Sequence, residues 1–124
     1  MSETFGEYVR KRRIERNLTL RAMAKILGIS PVYQSSIESG KRPAPKYELL
    51  QKMVEALDLN DVQKAKFYDL ASQSATGKSA PQDIVDHINA NQQIRDIIRA
   101  SRDGNLPDME ITRLWNKIKN DSFF

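Results

Sequence analysis

LRAMAKILGISPVYQSSIES, residues 20–39, contains two short helical patterns separated by a break. Leu20, Met23, Ala24 and Leu27 follow the i, i+3, i+4, i+7 spacing of one helical face. Gly28 interrupts the pattern where a helix C-terminus favours a residue tolerant of positive φ. Ser30-Pro31 restarts it, since Ser is a favoured N-cap and Pro loses nothing at the first helical position. A second helix through Glu38 is predicted, closed by Gly40. Two helices of about eight residues around a Gly turn form a helix-turn-helix unit.

The flanking sequence extends this pattern on both sides. TFGEYVRKRRIER, residues 4–16, predicts a first helix with Thr4 as its cap and Phe5 and Val9 turned inward. Asn17 suits a left-handed cap, Leu18 fills the connection, and Thr19 is a natural N-cap for the next helix. The prolines of KRPAPK, residues 41–46, rule out a continuing helix and predict an exposed basic loop. KYELLQKMVEAL, residues 46–57, predicts a fourth helix with Tyr47, Leu50, Met53, Val54 and Leu57 on one side. Asn60 and Gln63 stand at capping-box spacing before a fifth helix striped by Phe67, Leu70 and Ala71.

Residues 72–80, SQSATGKSA, are small and polar, with the linker proper over 74–80. Three more helices are expected beyond it: one opened by Pro81 with Ile84, Val85 and Ile88; one over 91–102 with Ile94, Ile97 and Ile98; and one over 108–119 with Ile111, Leu114, Trp115 and Ile118. No strand-like alternation or internal repeat appears. The expected fold is all-α, with a five-helix domain over 1–73 and a small helical lobe over 81–120.

Composition narrows the function. An apolar share of 40% suffices for a core, and the absence of Cys excludes disulfides and thiolate zinc. A single His leaves too few ligands for the usual metal sites, so neither metal nor cofactor is expected. No apolar run of signal-peptide type or of the ~18 residues that span a bilayer is present, which points to a cytoplasmic protein without membrane association. The net charge of +4 is unevenly distributed. Residues 1–46 carry ten Lys/Arg against four Asp/Glu, residues 47–74 three against five, and residues 75–124 seven against seven. A basic end on a small helical domain suits a polyanion, most simply nucleic acid, although a solvated Arg-rich helix explains the charge alone equally well.

With these elements placed, residues 5–57, about two-fifths of the chain, closely resemble the XRE family of Cro and phage-repressor helix-turn-helix regulators. The residues carrying the resemblance are Phe5, Val9, Arg13, Leu18-Thr19-Leu20, Met23-Ala24, Leu27-Gly28-Ile29-Ser30, Ile37-Glu38 and Gly40-Lys41. The resemblance implies a helix over 31–38 lying in the DNA major groove. Position by position, Pro31, Val32, Ser35 and Ser36 fall where such proteins face base edges. Ser30, Ser39, Lys41 and Arg42 fall at phosphate-contacting positions, with Lys46 joining them and Arg21 reaching the backbone beside the groove. Lys and Arg neutralise phosphates, while short side chains let the helix approach the bases. None of the base-facing set gives the bidentate readout of Arg or Gln, so sequence preference leans on shape.

The resemblance also implies a buried Arg13–Glu38 ion pair tying the first helix to the recognition helix. Two positions depart from the family pattern. Gln34 stands where an aliphatic residue is usual. Buried, it needs hydrogen-bond partners; exposed, it becomes an adenine reader, and the structural role is the favoured alternative. Arg12 stands where Leu is usual and is expected to snorkel its stem over the core.

Other signals are weaker. Residues 72–79 end like a phosphate-binding loop, but Ser72 replaces its first Gly and no strand precedes it. His87 has no companion ligand, and the pairs Asp83/Asp86 and Asp108/Glu110 sit at helix starts, where the macrodipole favours them. No catalytic constellation is evident, so no enzymatic activity is expected. Trp115, with Ile94, Ile97, Ile98, Leu114 and Ile118, is read first as packing within the C-terminal lobe and second as a dimer surface. The expected function is a sequence-specific DNA-binding transcriptional regulator, a repressor of phage or mobile-element type, acting on double-stranded DNA as a homodimer. The alternative is an antitoxin or phage-defence interaction module that holds a toxin or other protein through its C-terminal lobe.

Overall fold

The computed structural model describes residues 3–74 and 80–120. Among these residues it contains helices and no strand, in the order α1 (Phe5–Glu15), α2 (Leu20–Leu27), α3 (Pro31–Glu38), α4 (Tyr47–Leu57), α5 (Asp61–Ser74), α6 (Gln82–Ala90), α7 (Gln92–Arg102) and α8 (Asp108–Asn120). The all-α expectation holds. The chain divides into two compact units, Met1–Asp83 and Ile84–Phe124.

The ends of the helices follow from local chemistry. Thr4 and Glu7 form a capping box that satisfies two otherwise orphaned N–H groups of α1. The Thr19 hydroxyl accepts from Ala22 N at the start of α2, and the Ser30 hydroxyl accepts from Tyr33 N at the start of α3. Gly28 ends α2 at φ +72°, a left-handed conformation that a Cβ would strain. Asn17 adopts φ +56°, as its type predicts. The Thr19 cap is therefore expected to contribute about 1 kcal/mol, and Thr19→Ala should lower the urea midpoint accordingly.

The N-terminal unit is held by one apolar core drawn from α1 to α5. Phe5, Tyr8 and Val9 meet Met23 and Leu27, Ile37, the α4 stripe Leu50, Met53 and Leu57, and Phe67 and Tyr68 of α5. Each fully buried side chain of this size contributes roughly 1.5–3 kcal/mol over its exposed state. The Phe5 and Phe67 rings lie 5.1 Å apart, and the Tyr8 hydroxyl donates to Gln63 O, fixing α1 against α5. Arg16, which the sequence reading passed over, closes the far side. Its Nε donates to Leu57 O and its Nη2 to Asp58 O, both at 2.9 Å, at the C-terminal end of α4 where the dipole favours a cation. Arg12 snorkels as expected, its guanidinium 5.1 Å from the Tyr8 ring centre and its Nη1 2.8 Å from Glu15.

Two expectations need correction. The linker expected over 74–80 begins too early, because α5 runs through Ser74; residues 75–79 lie outside the described residues, as does that part of the loop-like 72–79 motif. The Ser74 hydroxyl explains the longer helix: it donates to Ala71 O and accepts from Ala44 N, pinning the last turn to the basic loop. The second correction concerns the C-terminal unit. No described residue of α6, α7 or α8 is buried, so Ile97, Ile98, Leu114 and Trp115 do not form an internal core and stand 48–54% exposed. Three short helices enclose too little volume to cover their own apolar faces.

Candidate nucleic-acid interface

Helix α3 is presented by the polar and steric machinery behind it. Its inward face carries Ile37, fully buried, together with Gln34 and Glu38. Glu38 receives a two-pronged contact from Arg13 of α1, Nε at 2.8 Å and Nη2 at 3.0 Å. The third Arg13 nitrogen, Nη1, donates to Leu18 O in the α1–α2 connection at 2.7 Å. The expected ion pair is thus present and buried on both sides. Gln34 is also buried, at 0% exposure, and its Nε2 donates to Glu38 Oε2 at 2.7 Å. This removes Gln34 from the base-facing candidates, since a side chain spent on an internal carboxylate does not reach a base edge. The aliphatic residue usual at that position is here replaced by a third donor to Glu38.

The outward face of α3 carries the small residues. Pro31, Val32 and Ser35 are exposed, Val32 at 79%, while Ser36 is half-buried with its hydroxyl donating to Tyr33 O. These four line one shallow groove of 340 Å³ with Ser39 and Lys41. The basic loop is held beside them because Arg42 N donates to Ser36 O at 3.1 Å. Arg42 is exposed, as are Ser30 at the N-cap of α3 and Arg21 on α2. Lys46 is exposed but lines a different pocket, against α4 and α5, so it is not part of the α3 groove.

The sequence reading missed one cation. Arg10 is exposed on α1 and lines, with Arg13, Leu20, Glu38, Ser35 and Ser39, a depression sharing two residues with the α3 groove. Its position one turn before Arg13 was the available signal. The groove is therefore lined by short, uncharged side chains and Lys41, with Arg10 in the adjoining depression, an arrangement of cations beside small side chains suited to a polyanion. Among the described residues no acidic or His cluster could hold a metal. No helix among them is long and apolar enough to cross a membrane.

Residues 4–67, just over half of the chain, match the family model described as a helix-turn-helix domain. The chain belongs to this helix-turn-helix family. Over 57 residues it is 44% identical to the HTH-type transcriptional repressor RghR of Bacillus subtilis (strain 168), a stretch that makes up 46% of this chain and 42% of that repressor. The chain thus matches less than half the length of that curated relative. A solved chain from a SINR protein/SINI protein complex overlays 94% of this one, covering 95% of that chain, at a TM-score of 0.47 and 17% identity. The family match spans the helix-turn-helix unit, the Arg13–Glu38 brace and the basic loop, and it ends inside α5.

Proposed function

We propose that this protein is a DNA-binding transcriptional regulator, a repressor that places α3 in the major groove and occupies promoter DNA. The observation that carries the reading is the α3 groove itself: Pro31, Val32, Ser35 and Ser36 on one open face with Lys41 beside them. Val32 or Pro31 suits a thymine methyl, Ser35 offers a hydroxyl, and Lys41, Arg42, Arg21 and Arg10 suit phosphates. The identity to a transcriptional repressor over 57 residues supports the same assignment.

A single α3 reads few base pairs, so the working species on DNA is two copies on two half-sites about 34–36 Å apart. The half-exposed apolar side chains Ile97 and Ile98 of α7 and Leu114 of α8 support pairing between copies, because exposed patches of this kind mark interaction sites. The same side chains favour the second reading, a module that holds another protein through its C-terminal helices. Genomic selection of bound fragments with purified protein separates the two: a shared palindrome supports the repressor, and random recovery supports the interaction module.

The grip of the loop is testable independently. Replacing Lys41 and Arg42 together by Ala is expected to weaken binding on every sequence. The slope of log K against log salt should become shallower by about 1.8, since each phosphate contact contributes about 0.9. A titration from low to moderate salt measures this, and an unchanged slope would exclude phosphate contact by the loop.

A further inference from the structure

Pro31 and Val32, the first two residues of α3, bring no hydrogen-bonding side chain to the groove they line. Val32 is the most exposed large apolar side chain among the described residues. The polar side chains that follow are largely committed within the fold. The Ser30 hydroxyl accepts from Tyr33 N at 3.0 Å, the Ser36 hydroxyl donates to Tyr33 O at 2.7 Å, and the Ser39 hydroxyl donates to Ser36 O at 3.2 Å. Gln34 is spent on Glu38. Ser35 is exposed, but a hydroxyl both donates and accepts, so it discriminates weakly among base edges. The selective contact left to this face is therefore apolar.

Groove chemistry decides what such a contact selects. In the major groove the C5 methyl of a pyrimidine is the apolar group on the base edges. An aliphatic side chain packs on that methyl and makes no hydrogen bond that would tell the neighbouring O4 of thymine from the neighbouring amine of cytosine. Thymine and 5-methylcytosine therefore offer it the same contact, and uracil and unmodified cytosine do not. Burying one methyl group is worth about fourfold in affinity.

We propose that Val32 is the specificity-determining residue of α3 and that it reads the C5 methyl of a pyrimidine, so that C5 methylation of a cytosine in the bound site strengthens binding. The inference rests on the DNA-binding reading, and it names the group on DNA that α3 recognises.

The test uses the full chain and a random duplex library, from which the tightest binders are selected at fixed salt. The winning duplex is resynthesised with uracil at each thymine in turn and, at the position that responds, with cytosine and with 5-methylcytosine. At least one uracil substitution is expected to weaken binding about fourfold, the loss of one methyl contact. At that position 5-methylcytosine should bind about fourfold more tightly than cytosine, for the same reason. Val32→Ser should bring both differences below about twofold, since it removes the apolar partner of the methyl. It should also melt like the wild type, because the side chain is 79% exposed. The proposal is overturned by a duplex indifferent to every uracil, by 5-methylcytosine binding no more tightly than cytosine, or by methyl effects that persist in Val32→Ser. A selection that enriches no sequence overturns the DNA-binding reading and the proposal with it, so the two failures are distinct.

Discussion

Glu38→Ala is expected to lower the unfolding free energy of the N-terminal unit by about 3–5 kcal/mol. The carboxylate takes hydrogen bonds from Arg13 Nε, Arg13 Nη2 and Gln34 Nε2, all within 3.0 Å and all on buried side chains. Its removal leaves a buried guanidinium with one remaining partner, Leu18 O, and a buried amide with none. Against a total stability of about 5–15 kcal/mol, this takes a large share of the margin. Urea unfolding gives the value, and a loss below about 1 kcal/mol would show that the pair is not a brace. Gln34→Leu is the informative contrast. It deletes one bond to Glu38, but it also deletes Gln34 Oε1, a buried acceptor without a partner. The two effects oppose each other, so this variant should stay within about 1 kcal/mol of the wild type while Glu38→Ala does not.

Gly6→Ala should be nearly as damaging, with a sign opposite to that of helix propensity. In an ordinary helix interior the change stabilises by roughly 0.5–1 kcal/mol, because Gly loses more backbone entropy than Ala. Here α1 and α3 cross in backbone contact. A Cβ on Gly6 would lie 2.5 Å from Ile37 O and closer still to Glu38 O, neither of which is the end of a flexible side chain. Relief requires α1 to move away from α3, which pulls Arg13 from Glu38 and opens the layer between Phe5 and Ile37. Overpacking of this kind costs about 1–3 kcal/mol and more when backbone must shift, so a net loss of about 3 kcal/mol is expected. Thermal or urea unfolding decides it; a variant as stable as the wild type would mean that the helices are further apart than the structure places them. On the proposed function the displaced element is the helix that reads DNA, so DNA affinity should also fall in any fraction that remains folded.

The N-terminal unit was legible because its signals are local. Thr4, Thr19 and Ser30 act within three residues, Gly28 and Asn17 act through their own backbone, and the stripes on α2 and α4 repeat at the helical period. The Arg13–Glu38 pair was also anticipated, through the resemblance rather than through any local rule. Arg16 and the end of α5 were not legible, and Arg10 had only its spacing from Arg13 as a signal. Each depends on what lies across the fold: the α3 surface, the carbonyls of Leu57 and Asp58, and the amide of Ala44.

The fate of each apolar or amphipathic side chain divides the protein the same way. The sequence by itself determined the helices and their caps, since periodicity and capping are properties of neighbouring residues, and the resemblance implied the outward face of Pro31, Val32 and Ser35. Only the tertiary structure decided that Gln34 turns inward to Glu38, that Lys46 lines the pocket against α4 and α5 rather than the α3 groove, and that no described residue of α7 or α8 is fully buried. Burial is a property of what packs against a face. A helical stripe states that a face is apolar and leaves open whether anything in the same chain will cover it.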